Sequence, residues 1–116
     1  MMSSSKQSLS QILKLADSVT GKSAIDVATG VLAAAKVIES EAQLRNLLTD
    51  GGRQPESRAK LVTDLFTNQI ADQALDIVKT AVKTRWSSGA ELVEVLEQAG
   101  YRIFFSAASL NRFLIE

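Results

Sequence analysis

Three glutamates, Glu91, Glu94 and Glu97, recur at intervals of three, and Glu39 and Glu41 stand two apart further upstream. Paired carboxylates do acid and base work when they converge in a cleft that drives their pKa values apart. On a helix, a spacing of three puts them on one face, which is equally the pattern of a solvated flank, and that is the better reading here. A di-metal carboxylate bundle needs Glu-x-x-His pairs on facing helices, whereas the 116 residues include no histidine and no cysteine. The same absence removes the commonest metal ligand and general base, any thiolate nucleophile and any disulfide framework. No catalytic residue, metal site or cofactor is expected.

Two other stretches invite a test. The run TDGGRQPE holds two adjacent glycines, but no lysine follows at Walker spacing and no strand precedes it, so it reads as a turn between helices rather than a phosphate loop. A serine nucleophile needs a base beside it. Only a lysine could serve, and Ser3-Ser4-Ser5-Lys6 lies at an end expected to fray. Lys79, Lys83 and Arg85 gather near the end of one segment, where positive charge opposes the negative pole of a helix. Three cations in a chain of zero formal net charge, with 13 basic and 13 acidic residues, make a weak nucleic-acid footprint.

The elements that must carry these residues are helical. Aromatics are only 5% of the residues and the single proline is Pro55, a composition that favours helices over a sheet. Leu9, Ile12, Leu13, Leu15, Ala16 and Val19 recur at spacings of three and four, which predicts a helix from about Ser5 to Ser18, ended by Thr20-Gly21. Ile25, Val27, Ala28, Val31, Leu32, Ala34, Ala35 and Ile38 are apolar on several sides, as in a central helix, with Ser23 as its N-cap. Ser40 is expected to cap a short third helix, stopped by Thr49-Asp50-Gly51-Gly52. A fourth starts near Pro55 with Ala59, Leu61, Val62, Leu65 and Phe66 as its inner face. The fifth is expected from about Asp72 to Trp86, and a sixth, after Ser87-Ser88-Gly89, carries Leu92, Val93, Val95, Leu96 and Ala99 and can continue past Gly100.

The fold class is therefore all-α, a six-helix bundle in one domain, with no internal repeat. The N-terminus lacks the basic start and apolar core of a signal peptide, and the longest apolar stretch falls far short of a spanning helix, so a soluble domain is expected. On the first and fifth helices the apolar arcs are wider than the stripe a surface helix needs. Either a partner helix lies in a groove between them, or both flanks are buried within the bundle.

The stretch from Glu39 to Gly100, with LRNLLTD before a turn, then AKLVTDLF, then an Ala-Leu-Asp run closing in KTRWS, closely resembles the N-terminal domain of the delta subunit of bacterial F-type ATP synthase, the equivalent of the mitochondrial oligomycin-sensitivity-conferring protein. The resemblance implies a non-catalytic stator component of a proton-translocating complex. It implies binding of the alpha subunit's N-terminal helix between helices one and five, carried over by helix position to Leu9, Ile12, Leu13, Ala16, Ala74, Ile77, Val78 and Ala81. It further implies a place at the cytoplasmic face of the bacterial plasma membrane, and attachment to the b subunits of the peripheral stalk through a separate C-terminal domain. A full delta subunit is much longer. Residues 1–105 are expected to form the alpha-binding domain and 106–116 a tail, either disordered or the start of a missing C-terminal part. The alternatives are a generic helical adaptor or homodimerising bundle, and a helix-turn-helix nucleic-acid binder that would recruit Lys79, Lys83, Arg85 and Arg102.

Overall fold

The computed structural model describes the backbone of residues 3–115 and the burial of side chains 6–108. Six helices follow one another: α1 (Ser3–Asp17), α2 (Ala24–Ser40), α3 (Ala42–Leu48), α4 (Pro55–Phe66), α5 (Asp72–Lys83) and α6 (Gly89–Ile115), with no strand among the described residues. The all-α, six-helix expectation holds.

α2 is the central helix, as its many-sided apolar pattern requires. Val27, Ala28, Val31, Ala34, Ala35 and Ile38 are all buried. Its main partner is α6. Residues near the start of α2 share a cavity with Ser106 and Ala107, while Glu39 near its end shares one with Ala90, Val93 and Glu97, so the two helices run antiparallel. α1 packs on α6 and α5, and α5 is flanked by α4, α2 and α1. Gly30, Gly89 and Gly100 allow close approach. A Cβ on Gly30 would lie 2.8 Å from the Cβ of Ala74 and 3.0 Å from that of Ile70, and one on Gly100 would lie 2.6 Å from Cγ and Cδ2 of Leu32.

Several local expectations shift. α1 already begins at Ser3, so the Ser3–Lys6 stretch is helical rather than frayed. It stops at Asp17, and Gly21 turns the chain at a φ of 91°. Ser23 occupies the N-cap position of α2, but its αR backbone leaves the hydroxyl without a capping bond. Ser40 closes α2 instead of opening α3. Its hydroxyl donates to the Val37 carbonyl, and Glu41 joins the two helices. α5 ends at Lys83, three residues before Trp86, which is buried outside the helix with Nε1 donating to the Ala81 carbonyl at 2.7 Å. Leu65, assigned to the inner face of α4, is 46% exposed, and Arg58 is buried in that face instead. α6 runs unbroken to Ile115, so the expected boundary after residue 105 falls inside a helix, while residue 116 lies outside the described residues.

Candidate functional site

α1 and α5 are the elements on which a partner site was expected. Ser8, near the start of α1, donates its hydroxyl to the Arg85 carbonyl just beyond α5. At the other end of α1, the Asp17 carboxylate accepts from Nε and Nη2 of Arg102 on α6, at 2.6 and 3.1 Å. That two-pronged contact raises the pKa of Arg102, first through the hydrogen bond and then through the charge of Asp17.

These two anchors orient the flanks of α1. Leu9, Leu13 and Asp17 form a row at intervals of four, so the flank with Leu9 and Leu13 turns towards α6. Ser8 and Leu15, seven residues apart, share the opposite flank, which turns towards the end of α5. Between them lie Ile12 and Ala16, 0% and 2% exposed. Leu9 and Leu15 are half-buried and packed against the core, and Leu13 is half-buried without belonging to it.

On α5, Ala74, Ile77, Val78 and Ala81 are at most 1% exposed. Lys79 and Lys83 line a cavity with Glu56, Ala59, Lys60 and Thr63 of α4, so the row Leu75, Lys79, Lys83 faces α4. The outward positions are Gln73, Asp76 and Thr80, all polar. Six of the eight residues assigned to the partner groove are thus core residues. The wide apolar arc of α5 is used up by neighbours on several sides, which is the alternative that periodicity left open. None of the five described cavities draws lining residues from both α1 and α5.

The carboxylates form no acid–base pair. Glu94 is exposed, and Glu91 accepts from the backbone N–H of Ser87 at 2.9 Å while its own N–H donates to the Ser88 hydroxyl at 3.2 Å. That is a cap on α6, signalled by the Ser-x-x-Glu pattern. Among the described residues no cluster of three acidic side chains could hold a metal ion. No helix among them is long and apolar enough to cross a membrane.

Sequence reasoning also missed Arg58. It is 4% exposed, and its guanidinium donates through Nε to the Val82 carbonyl at 2.6 Å, through Nη2 to Lys83 at 3.0 Å, and through Nη1 to Asp50 and Arg53 at 3.1 and 2.6 Å. It binds the last carbonyls of α5 to the α3–α4 turn. A buried position in the α4 stripe, one residue before Ala59, was the available signal.

The fold defines the chain as a six-helix all-α bundle. In sequence the chain is similar to ATP synthase delta subunits over their N-terminal portion. It is 29% identical over 111 residues to the delta subunit of Streptomyces griseus, covering 93% of this chain and 41% of that protein. It is 31% identical over 101 residues to that of Streptomyces coelicolor, covering 84% and 37%. With the delta subunit of Parafrankia sp. the identity is 37% over 109 residues, covering 84% and 39%. The chain therefore spans about two-fifths of the length of these curated relatives. Searched against protein-family models, it matches none.

Proposed function

We propose that this chain is a non-catalytic stator component of an F-type ATP synthase, which binds the N-terminal helix of the alpha subunit along α1 and α5 and so helps to join the catalytic hexamer to the peripheral stalk. The observation that carries this reading is the similarity to delta subunits over 84–93% of the chain. The bundle suits the role, because coupling two static parts needs shape and surface rather than a titrating group. In this reading the b subunits are held by a C-terminal domain, as in longer delta subunits, and the complex lies at the cytoplasmic face of the plasma membrane without insertion of this chain.

Burial revises how the named residues act. Leu9 and Leu13 have side-chain surface to offer, whereas Ile12, Ala16, Ala74, Ile77, Val78 and Ala81 form the floor that sets the spacing of the two helices. Along the α1–α5 seam the partner helix meets Leu15, half-buried on the flank of α1 that turns towards α5, and Gln73, Asp76 and Thr80 of α5, a mixed apolar and polar surface, while Leu9 and Leu13 lie on the flank towards α6.

Calorimetric titration with a peptide copying the alpha N-terminus tests this. The expected outcome is saturable binding, amide shifts confined to α1 and α5, and a change in Trp86 fluorescence. Absence of both heat and shifts on those helices would sink the assignment.

A further inference from the structure

The α3–α4 turn and the end of α5 build a second surface that the stator reading does not use. A cavity of about 210 Å³ is lined by Gly51, Gly52, Arg53, Gln54, Pro55, Arg58, Lys83 and Arg85. Four of these are cationic and none is acidic, in a chain whose formal net charge is zero. The fold, not the local sequence, assembles the group: Arg53 and Arg58 come from the turn and α4, Lys83 and Arg85 from the end of α5.

The cations have few internal partners. Arg58 spends Nε, Nη1 and Nη2 on the four carbonyls, which include the negative pole of α5, so that pole does not neutralise the others. The Nε of Arg53 is buried and has no hydrogen-bond partner. Among the described ion pairs none involves Arg53, Lys83 or Arg85. The Arg85 guanidinium lies beside Gly51, where an added Cβ would be 4.0 Å from Nη2. Asp50 accepts from the Gly52 N–H at 2.9 Å, and Glu56 lines the neighbouring α4–α5 cavity, which Lys83 lines as well.

Like charges gathered around a concave, partly desolvated surface, with a buried donor left over, are stabilised by an anion. Guanidinium forks match the planar edges of an oxyanion. The space is below the range that encloses drug-sized ligands, about 300 Å³ and upward, and suits a small ion with its water. We propose that this cavity binds a phosphate-class oxyanion, either free phosphate or the phosphoryl end of a small molecule, between Arg53, Arg85 and Lys83.

The test is titration of the chain with inorganic phosphate at constant ionic strength, followed by backbone amide resonances. The expected result is saturable shifts confined to Gly51, Gly52, Arg53 and residues 83–86, with a Kd on the order of 1 mM. Arg85→Gln, on an exposed side chain, is expected to weaken binding roughly tenfold, with Arg53→Lys as the second variant and Lys60→Gln, outside the cavity, without effect. Thermal melting of each variant confirms that it folds. Glycerol phosphate binding as well as phosphate assigns the phosphoryl end as ligand, and weaker binding assigns the free ion. Linear shifts that chloride reproduces, or affinity unchanged in both arginine variants, overturn the proposal.

Discussion

Arg58 Nε donates to the carbonyl of Val82 at 2.6 Å, so a buried cation on α4 covers the last carbonyls of α5, beyond the Ala81 carbonyl that Thr84 and Trp86 cap. Replacing it with methionine keeps the volume but leaves the Val82, Lys83 and Arg53 carbonyls without their side-chain donor, while the Asp50 carbonyl keeps the Arg53 N–H. Loss of charged hydrogen bonds from a buried site is expected to cost about 2–4 kcal/mol in urea unfolding. Lysine, a point charge without the fork, is expected to recover only part of this. A neutral outcome for both would show that water satisfies those carbonyls without help.

Gly30 and Gly100 are expected to differ. In Gly30→Ala the new methyl meets the Cβ atoms of Ala74 and Ile70, which cannot rotate away. In Gly100→Ala it meets the branched end of Leu32, a half-buried side chain with rotamers to spare. Overpacking is therefore expected to cost about 2–3 kcal/mol at Gly30 and about 1 kcal/mol or less at Gly100. Equal costs from denaturant midpoints would contradict this ranking.

The helices were legible because their apolar spacings are local, and Leu92, Val93, Leu96 and Ala99 mark α6 without reference to anything else. Their ends were less so. Ser40 and Trp86 sit beyond or before the boundaries that pattern alone assigns, since a hydroxyl can bond back to a carbonyl and an indole can be buried outside a helix. The candidate groove shows a different limit. A wide apolar arc states how much of a helix is covered, not by what, and on α5 the cover is α4, α2 and α1. The basic cavity was invisible for the same reason, because Arg53 and Arg85 meet only through tertiary packing.

Ser88 is expected to matter more than its place in a Ser-Ser-Gly break suggests. Its hydroxyl accepts from the Glu91 N–H at 3.2 Å and satisfies one of the free donors at the start of α6. Ser88→Ala is expected to lose about 1 kcal/mol, and Ser88→Asp to lose little. Amide exchange at Glu91 reads the cap directly, and protection unchanged in the alanine variant would show that the bond does not hold the helix end.

Stability is expected to be flat with pH from about 6 to 7.5, since the chain has no histidine or cysteine to titrate there. The Asp17–Arg102 pair works in the same direction. Arg102 is raised by its bond to Asp17, so the stabilisation is complete below the ordinary arginine value and is lost only as pH rises through the raised one, far into the alkaline range. A melting temperature that moved substantially across this neutral window would point to a carboxylate held far from its usual state.

The orientation of α1 separates two versions of the partner site. If the alpha helix lies on the α5 side, Leu15, which shares its flank with Ser8, carries more of the contact than Leu13, which shares its flank with Asp17. Leu15→Ser is then expected to weaken the alpha peptide by roughly tenfold or more, and Leu13→Ser by less. Ile12→Ala serves as the control, because a fully buried side chain is expected to cost about 2–4 kcal/mol of stability while changing affinity only through the spacing of the helices. The reverse order, with Leu13 dominant, would move the docked helix to the seam between α1 and α6, where the Asp17–Arg102 pair would have to lie beneath it. Calorimetry on the three variants, each with its own unfolding curve, distinguishes these arrangements.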